Sequence, residues 1–154
     1  MLDSYRDLID GLLETPSRMR ERLGEPVPDD VPEETVAVLR EMRAREAATL
    51  RRAQSVMRKE NATLRAIEDE PEMAALHADV DVTDSPEALL SAFNHYRSEV
   101  VSLLVNLTLR DWERPVNHAV LGETVLSEEI EDHLTWDETL ADRIPAVAPG
   151  AGTP

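Results

Sequence analysis

Residues 85–107 read SPEALLSAFNHYRSEVVSLLVNL, and this stretch decides the fold class. Ser85 is a helix N-cap residue type, Pro86 suits a first helical position, and Glu87 places an acid in the first turn. Leu89, Phe93, Tyr96, Val100, Leu103 and Leu107 follow at spacings that alternate between four and three. That is the seam of a helix whose one apolar stripe faces partner helices in a bundle.

Three further segments show the same periodicity. The first covers Leu2 to Leu23, with Tyr5, Leu8, Ile9, Leu12 and Leu13 at helical spacing and Thr15-Pro16 predicting a kink and restart. A Pro-rich connection, Pro26 to Pro32, precedes a second helix from Glu33 to Asn61 with Val36, Leu39, Met42, Leu50, Ala53 and Met57 as its stripe. Asn61 to Ser85 is acidic and aperiodic, a long connection rather than an element. A loop through Trp112, Arg114-Pro115 and Gly122 leads to the last helix, Leu126 to Ile144, which Pro145 ends. The expectation is an all-α, single-domain four-helix bundle over residues 1–144, with a disordered tail over 145–154. Long connections leave several bundle topologies open.

Composition narrows the function classes. Thirty-two acidic residues against sixteen basic ones leave a formal net charge of −16. Such a surface repels phosphate backbones and anionic membranes. The basic cluster Arg40, Arg43, Arg45, Arg51, Arg52, Arg58 and Lys59 is interleaved with Glu41, Glu46 and Glu60, as on a salt-bridged helix face. No nucleic-acid or membrane partner is expected. The absence of cysteine excludes disulfides and thiolate metal sites. With no signal-like N-terminal segment and no long apolar run, the expected location is cytoplasmic.

Several stretches, in order, resemble the DinB/YfiT-like helical-bundle superfamily. They are Glu14-Thr15-Pro16, Glu60-Asn61-Ala62-Thr63-Leu64, Ser85-Pro86-Glu87-Ala88-Leu89-Leu90, the loop Asp111-Trp112-Glu113-Arg114-Pro115…His118…Gly122-Glu123-Thr124-Val125-Leu126, and Asp137…Arg143-Ile144. The resemblance spans about residues 10–144. It implies a four-helix bundle, often dimeric, in which many members hold a divalent metal on three histidines, one on the second helix and two four apart on the last. Some members are thiol-dependent transferases or isomerases, and the founding name reflects induction by DNA damage. With the last helix anchored on Asp137 and Ile144, the resemblance places the ligand positions at Glu41, Trp136 and Leu140, with Glu46 at an acidic position that commonly follows. Trp136 and Leu140 cannot ligate a metal, so the usual site is expected to be lost and no cofactor bound.

Read from the residues themselves, His133 and Asp137 are four apart and share the stripe of Leu126, Ile130, Leu140, Ala141 and Ile144. Glu46 falls on the inner stripe of the second helix. A cluster of Glu41 or Glu46 with His133 and Asp137 could hold a divalent metal such as Zn or Ni, or form a hydrogen-bonded structural network. Two functions follow. One is a non-catalytic, stress-associated bundle protein with a degenerate metal site. The other is a metal-dependent enzyme, of thiol transferase or hydrolase type, with a displaced Glu/His/Asp site. His95 is expected in solvent, His77 lies in the acidic connection, and His118 is expected to shape its loop. Val36, Val38, Leu90, Val101 and Leu104 lie beside the seams and suggest a homodimer face, unless they merely widen the core stripe.

Overall fold

The structure is a computed structural model and describes residues 2–77 and 84–145. Four long helices dominate it. α1 is Leu2–Leu23 and α2 is Glu33–Arg58; β1, Ala62–Leu64, follows, then the one-turn α3, Pro71–Ala74, flanked by 3-10 turns. α4 spans Pro86–Val105 and α5 is the single turn Leu109–Trp112. β2, Pro115–His118, and β3, Gly122–Val125, lead into α6, Leu126–Asp142.

The four-helix bundle read from the sequence is borne out, and its topology is now fixed. α2 packs most extensively on α4, and α1 packs on both α4 and α6, while α6 also meets α2. Around the bundle the order is therefore α1, α4, α2, α6, with α1 and α2 facing across a diagonal. Ser85 caps α4 as its sequence suggests, its hydroxyl accepting from the Ala88 N–H at 3.1 Å. α2 ends at Arg58, three residues short of Asn61, which adopts a left-handed φ of 51° that asparagine tolerates well. The restart expected at Thr15-Pro16 does not occur: α1 is one continuous helix with Pro16 inside it.

Two features were not expected. The connection after α2 and the loop before α6 meet in a small three-stranded sheet, β1 parallel to β2 and β2 antiparallel to β3. Ala62 pairs with Val116, and these two with Leu64 are buried against Leu104, Trp112 and Leu126. In addition, Leu90, Leu104 and Val38, read as the beginnings of a second apolar face, are fully buried inside the bundle. Val36 and Val101 are half-buried against the same core. Val38, Leu90 and Leu104 thus widen the core stripe and offer no dimer face, while Val36 and Val101 keep part of their surface in solvent. Among the described residues no helix is long and apolar enough to cross a membrane. The tail read as disordered, apart from Pro145, lies outside the described residues.

The apolar core falls into two large parts and a small third one, where Ala44 and Ala48 of α2 meet Ile67 and Met73. Of the large parts, one gathers Met19, Leu39, Met42, Phe93, Leu140 and Ile144; the other gathers Leu12, Val56, Val100, Leu104, Leu126 and Ile130. Between these two lies a polar layer.

Candidate functional site

Each long helix carries a stripe at spacings of three and four, and each stripe is interrupted at mid-height by a polar residue. On α1 it runs Leu12, Thr15, Met19, Leu23; on α2 Leu39, Met42, Glu46, Thr49, Ala53, Val56. On α4 it runs Phe93, Arg97, Val100, Leu104, and on α6 Ile130, His133, Asp137, Leu140. Thr15, Glu46, Thr49, Arg97, His133 and Asp137 are all at most 2% exposed. The helical period that buries the leucines therefore also carries these six polar side chains to one level.

Glu46, His133 and Asp137 do converge. One ligand-type atom from each lies within 4.8 Å of the others. His133 Nε2 is 2.8 Å from Glu46 Oε1, and its Nδ1 is 3.2 Å from the Thr49 hydroxyl. Thr15 donates to Asp137 Oδ2 at 2.5 Å. Glu41 is not part of the cluster; it lies half-exposed, 3.8 Å from Arg143. Leu140 belongs to the apolar core. Trp136, at a position the resemblance gave to a ligand, stacks beside His133 and beneath the Arg45 guanidinium, which lies 3.8 Å from its ring centre.

The group at the centre of the layer is Arg97, which the sequence reading missed. Its Nε and Nη2 meet Glu46 at 2.6 and 2.8 Å in a two-pronged pair, and Nη2 also donates to Asp137 Oδ1 at 2.8 Å. Nη1 donates to the Leu12 carbonyl at 2.6 Å. That carbonyl is four residues before Pro16, whose ring nitrogen has no hydrogen to return to it. Thr15-Pro16 thus does two things in α1: the threonine holds Asp137, and the proline frees a backbone oxygen for Arg97.

The electrostatics follow from burial and charge. Burial works against a charged guanidinium, but Glu46 and Asp137 outweigh it and hold Arg97 above its ordinary pKa. Burial alone would raise Glu46; His133 and Arg97 overcome it and bring the carboxyl down to about 2. Two carboxylates against one guanidinium leave the layer one positive charge short unless His133 is protonated. Beside His133 the layer opens into a small cavity of about 70 Å³, also lined by Arg45, Arg52, His118, Glu129 and Asp132.

The fold has a solved counterpart. YfiT from Bacillus subtilis, a probable metal-dependent hydrolase with an unusual four-helix bundle topology, superposes with a TM-score of 0.73. The match covers 94% of this chain and 85% of that one, at 18% sequence identity. The fold is that of YfiT. No family model and no curated protein matches the sequence. At this identity the likeness fixes the architecture and leaves the chemistry to the residues present. Of the two functional expectations, the presence of a Glu/His/Asp cluster favours the displaced site over a site simply lost.

Proposed function

We propose that the protein is a divalent-metal-dependent enzyme of hydrolase type, with Glu46, His133 and Asp137 as ligands, and that the Arg97-centred arrangement is its ion-free form. The observation that carries this reading is the convergence of one ligand-type group from α2 and two, four apart, from α6. Two of the three are already backed by outer partners, His133 by Thr49 and Asp137 by Thr15. Such partners are how proteins orient metal ligands. Two carboxylate oxygens and one imidazole nitrogen suit a borderline divalent ion such as zinc or nickel. When bound, the ion would supply a water acidified toward neutrality and a polarised substrate bond.

The donor set fits only if Arg97 gives way, because the guanidinium occupies the carboxylate oxygens that an ion would need. Breaking a buried pair of this kind costs about 3–5 kcal/mol, which weakens apparent ion affinity by roughly two to four powers of ten. Arg97 therefore acts as a latch, and its distance from neutrality of charge is what an ion competes against.

A second reading is favoured by one specific observation: Arg97 bonds to three other helices in a layer that is almost wholly buried. On that reading Arg97 is the permanent cation and the bundle is non-catalytic. Titrating zinc and nickel into chelator-stripped protein, by calorimetry, separates the two. The enzyme reading expects one equivalent bound by the native chain, abolished in Glu46→Gln and tightened in Arg97→Met. Binding by Arg97→Met alone favours the permanent cation, and binding by neither sinks the metal site.

A further inference from the structure

The cavity beside His133 has a chemistry of its own. Arg45 projects from α2 into it half-buried, and among the described residues it makes no hydrogen bond and no ion pair. Its Nε is buried without a partner. The carboxylates that act on it through space, Glu68, Glu129 and Glu41, do not bond to it. Burial outweighs their attraction and lowers its pKa to about 10. A desolvated donor with nothing to donate to costs free energy, so such groups point to a missing acceptor.

The rest of the lining fits the same acceptor. His118 Nδ1 accepts from the Val120 and Leu121 N–H groups, both at 3.1 Å. That places the proton of the neutral ring on Nε2 and leaves it as the free donor of His118. Arg52, the other cation, is paired with Glu129: its Nε donates to that carboxylate at 2.8 Å and its Nη1 to the Arg65 carbonyl at 2.7 Å, while Nη2 lies 2.7 Å from the same Glu129 oxygen without a hydrogen bond. Glu129 is thereby neutralised, and Asp132 sits exposed at the rim. The Arg45 guanidinium carbon sits 3.8 Å over the Trp136 ring, a contact that restrains the fork beside the cavity. At about 70 Å³ the space takes a few waters or one small planar anion.

We propose that this cavity binds the carboxylate group of a small organic acid, with the Arg45 fork and His118 Nε2–H as its donors. It rests on the hydrolase reading in making that carboxylate part of the substrate, which would then present its scissile bond toward His133. A planar acceptor is preferred to a spherical halide because the guanidinium edge offers parallel donors matched to two oxygens. The net charge of −16 opposes anions at long range, so recognition is short-ranged and of millimolar strength for a fragment.

The test uses chelator-stripped full chain, so that its outcome does not depend on metal binding. Acetate and propionate are titrated against it at constant ionic strength, following the Trp136 indole N–H by NMR. A saturable shift is expected with both acids, and none with sodium chloride or propionamide. Arg45→Gln should weaken binding about tenfold or more, the loss of a charge-assisted pair, with Arg45→Lys between the two. His118→Ala should weaken it severalfold and serves if Arg45→Gln fails to fold. A shift that does not saturate, that chloride reproduces, or that survives in both variants overturns the proposal. Glu46→Gln, which removes a metal ligand, should leave acetate binding in place.

Discussion

Arg97 on α4 donates to the Leu12 carbonyl on α1 at 2.6 Å, and that oxygen is the one released by Pro16. The proline and the arginine are thus complementary although they lie on different helices. An interior proline ordinarily costs a helix about 3 kcal/mol. Pro16→Ala is therefore expected to stabilise the protein by clearly less than that, since its new N–H competes with Arg97 for one acceptor. Urea unfolding at neutral pH measures it, and a full 3 kcal/mol gain would show that Arg97 draws nothing from the exposed carbonyl.

Arg97→Met leaves Glu46 and Asp137 buried with their shared cation gone. Stability should fall by about 3–5 kcal/mol in metal-free buffer. Added zinc should recover part of it by binding the folded state alone. A loss below about 1 kcal/mol would mean that the layer rearranges or hydrates, and that the pairing described above is not a major source of stability.

Thr15→Val keeps the shape of the side chain and removes the hydroxyl that donates to Asp137. A hydrogen bond to a charged group contributes about 1.5–3 kcal/mol, and a destabilisation in that range is expected, with Thr15→Ser close to the native value. A Thr15→Val variant as stable as the native chain would show that the hydroxyl contributes nothing through Asp137.

Acid should weaken the fold chiefly through two of the four carboxylates that, among the described residues, are held below their ordinary range, Glu72 and Asp111 being lowered less. Glu46 is lowered to about 2 as His133 and Arg97 overcome burial, and Glu87 to about 2 chiefly by its hydrogen bonds from Arg20 and Ser91. Both folded values lie below the ordinary 4.5, so the unfolded chain takes up protons first as pH falls. The stability they contribute is complete above about pH 4.5 and is lost toward pH 2. Unfolding free energy should therefore be level from pH 7 to 5 and drop below that. Glu46→Gln should shrink the drop; an unchanged drop in that variant places the acid sensitivity elsewhere.

Much of this was legible in the chain because helical periodicity is local. Ser85-Pro86 marks the start of α4, and the i,i+4 spacing of His133 and Asp137 with Glu46 on its own stripe anticipates the convergence. Arg97 was hidden by its type. Read by hydrophobicity, the α4 seam passes from Phe93 through Tyr96 to Val100; the buried stripe passes through Arg97 to Val100 and Leu104. That small rotation also explains why Leu90 and Leu104 looked surplus. A signal was available: a bundle interior holding Glu46 and Asp137 calls for a cation, and Arg97 is the α4 residue four from Phe93 and three from Val100. The sheet gave no comparable sign, because strands of three or four residues are held by pairing across some fifty positions rather than by alternation.

The diagonal placement of α1 and α2 bears on how the protein is made. A ribosome delivers these two helices before α4 and α6, and neither is the other's neighbour. Their apolar stripes wait for α4, and α1 is not enclosed until α6 has emerged as well. From the end of α2 at Arg58 until α4 is complete at Val105, the nascent chain carries two amphipathic helices without their native partner. That is the interval in which chaperone contact or misassociation has its opportunity, and a circular permutant that begins at α2, so that α4 follows directly as its main neighbour, would shorten it.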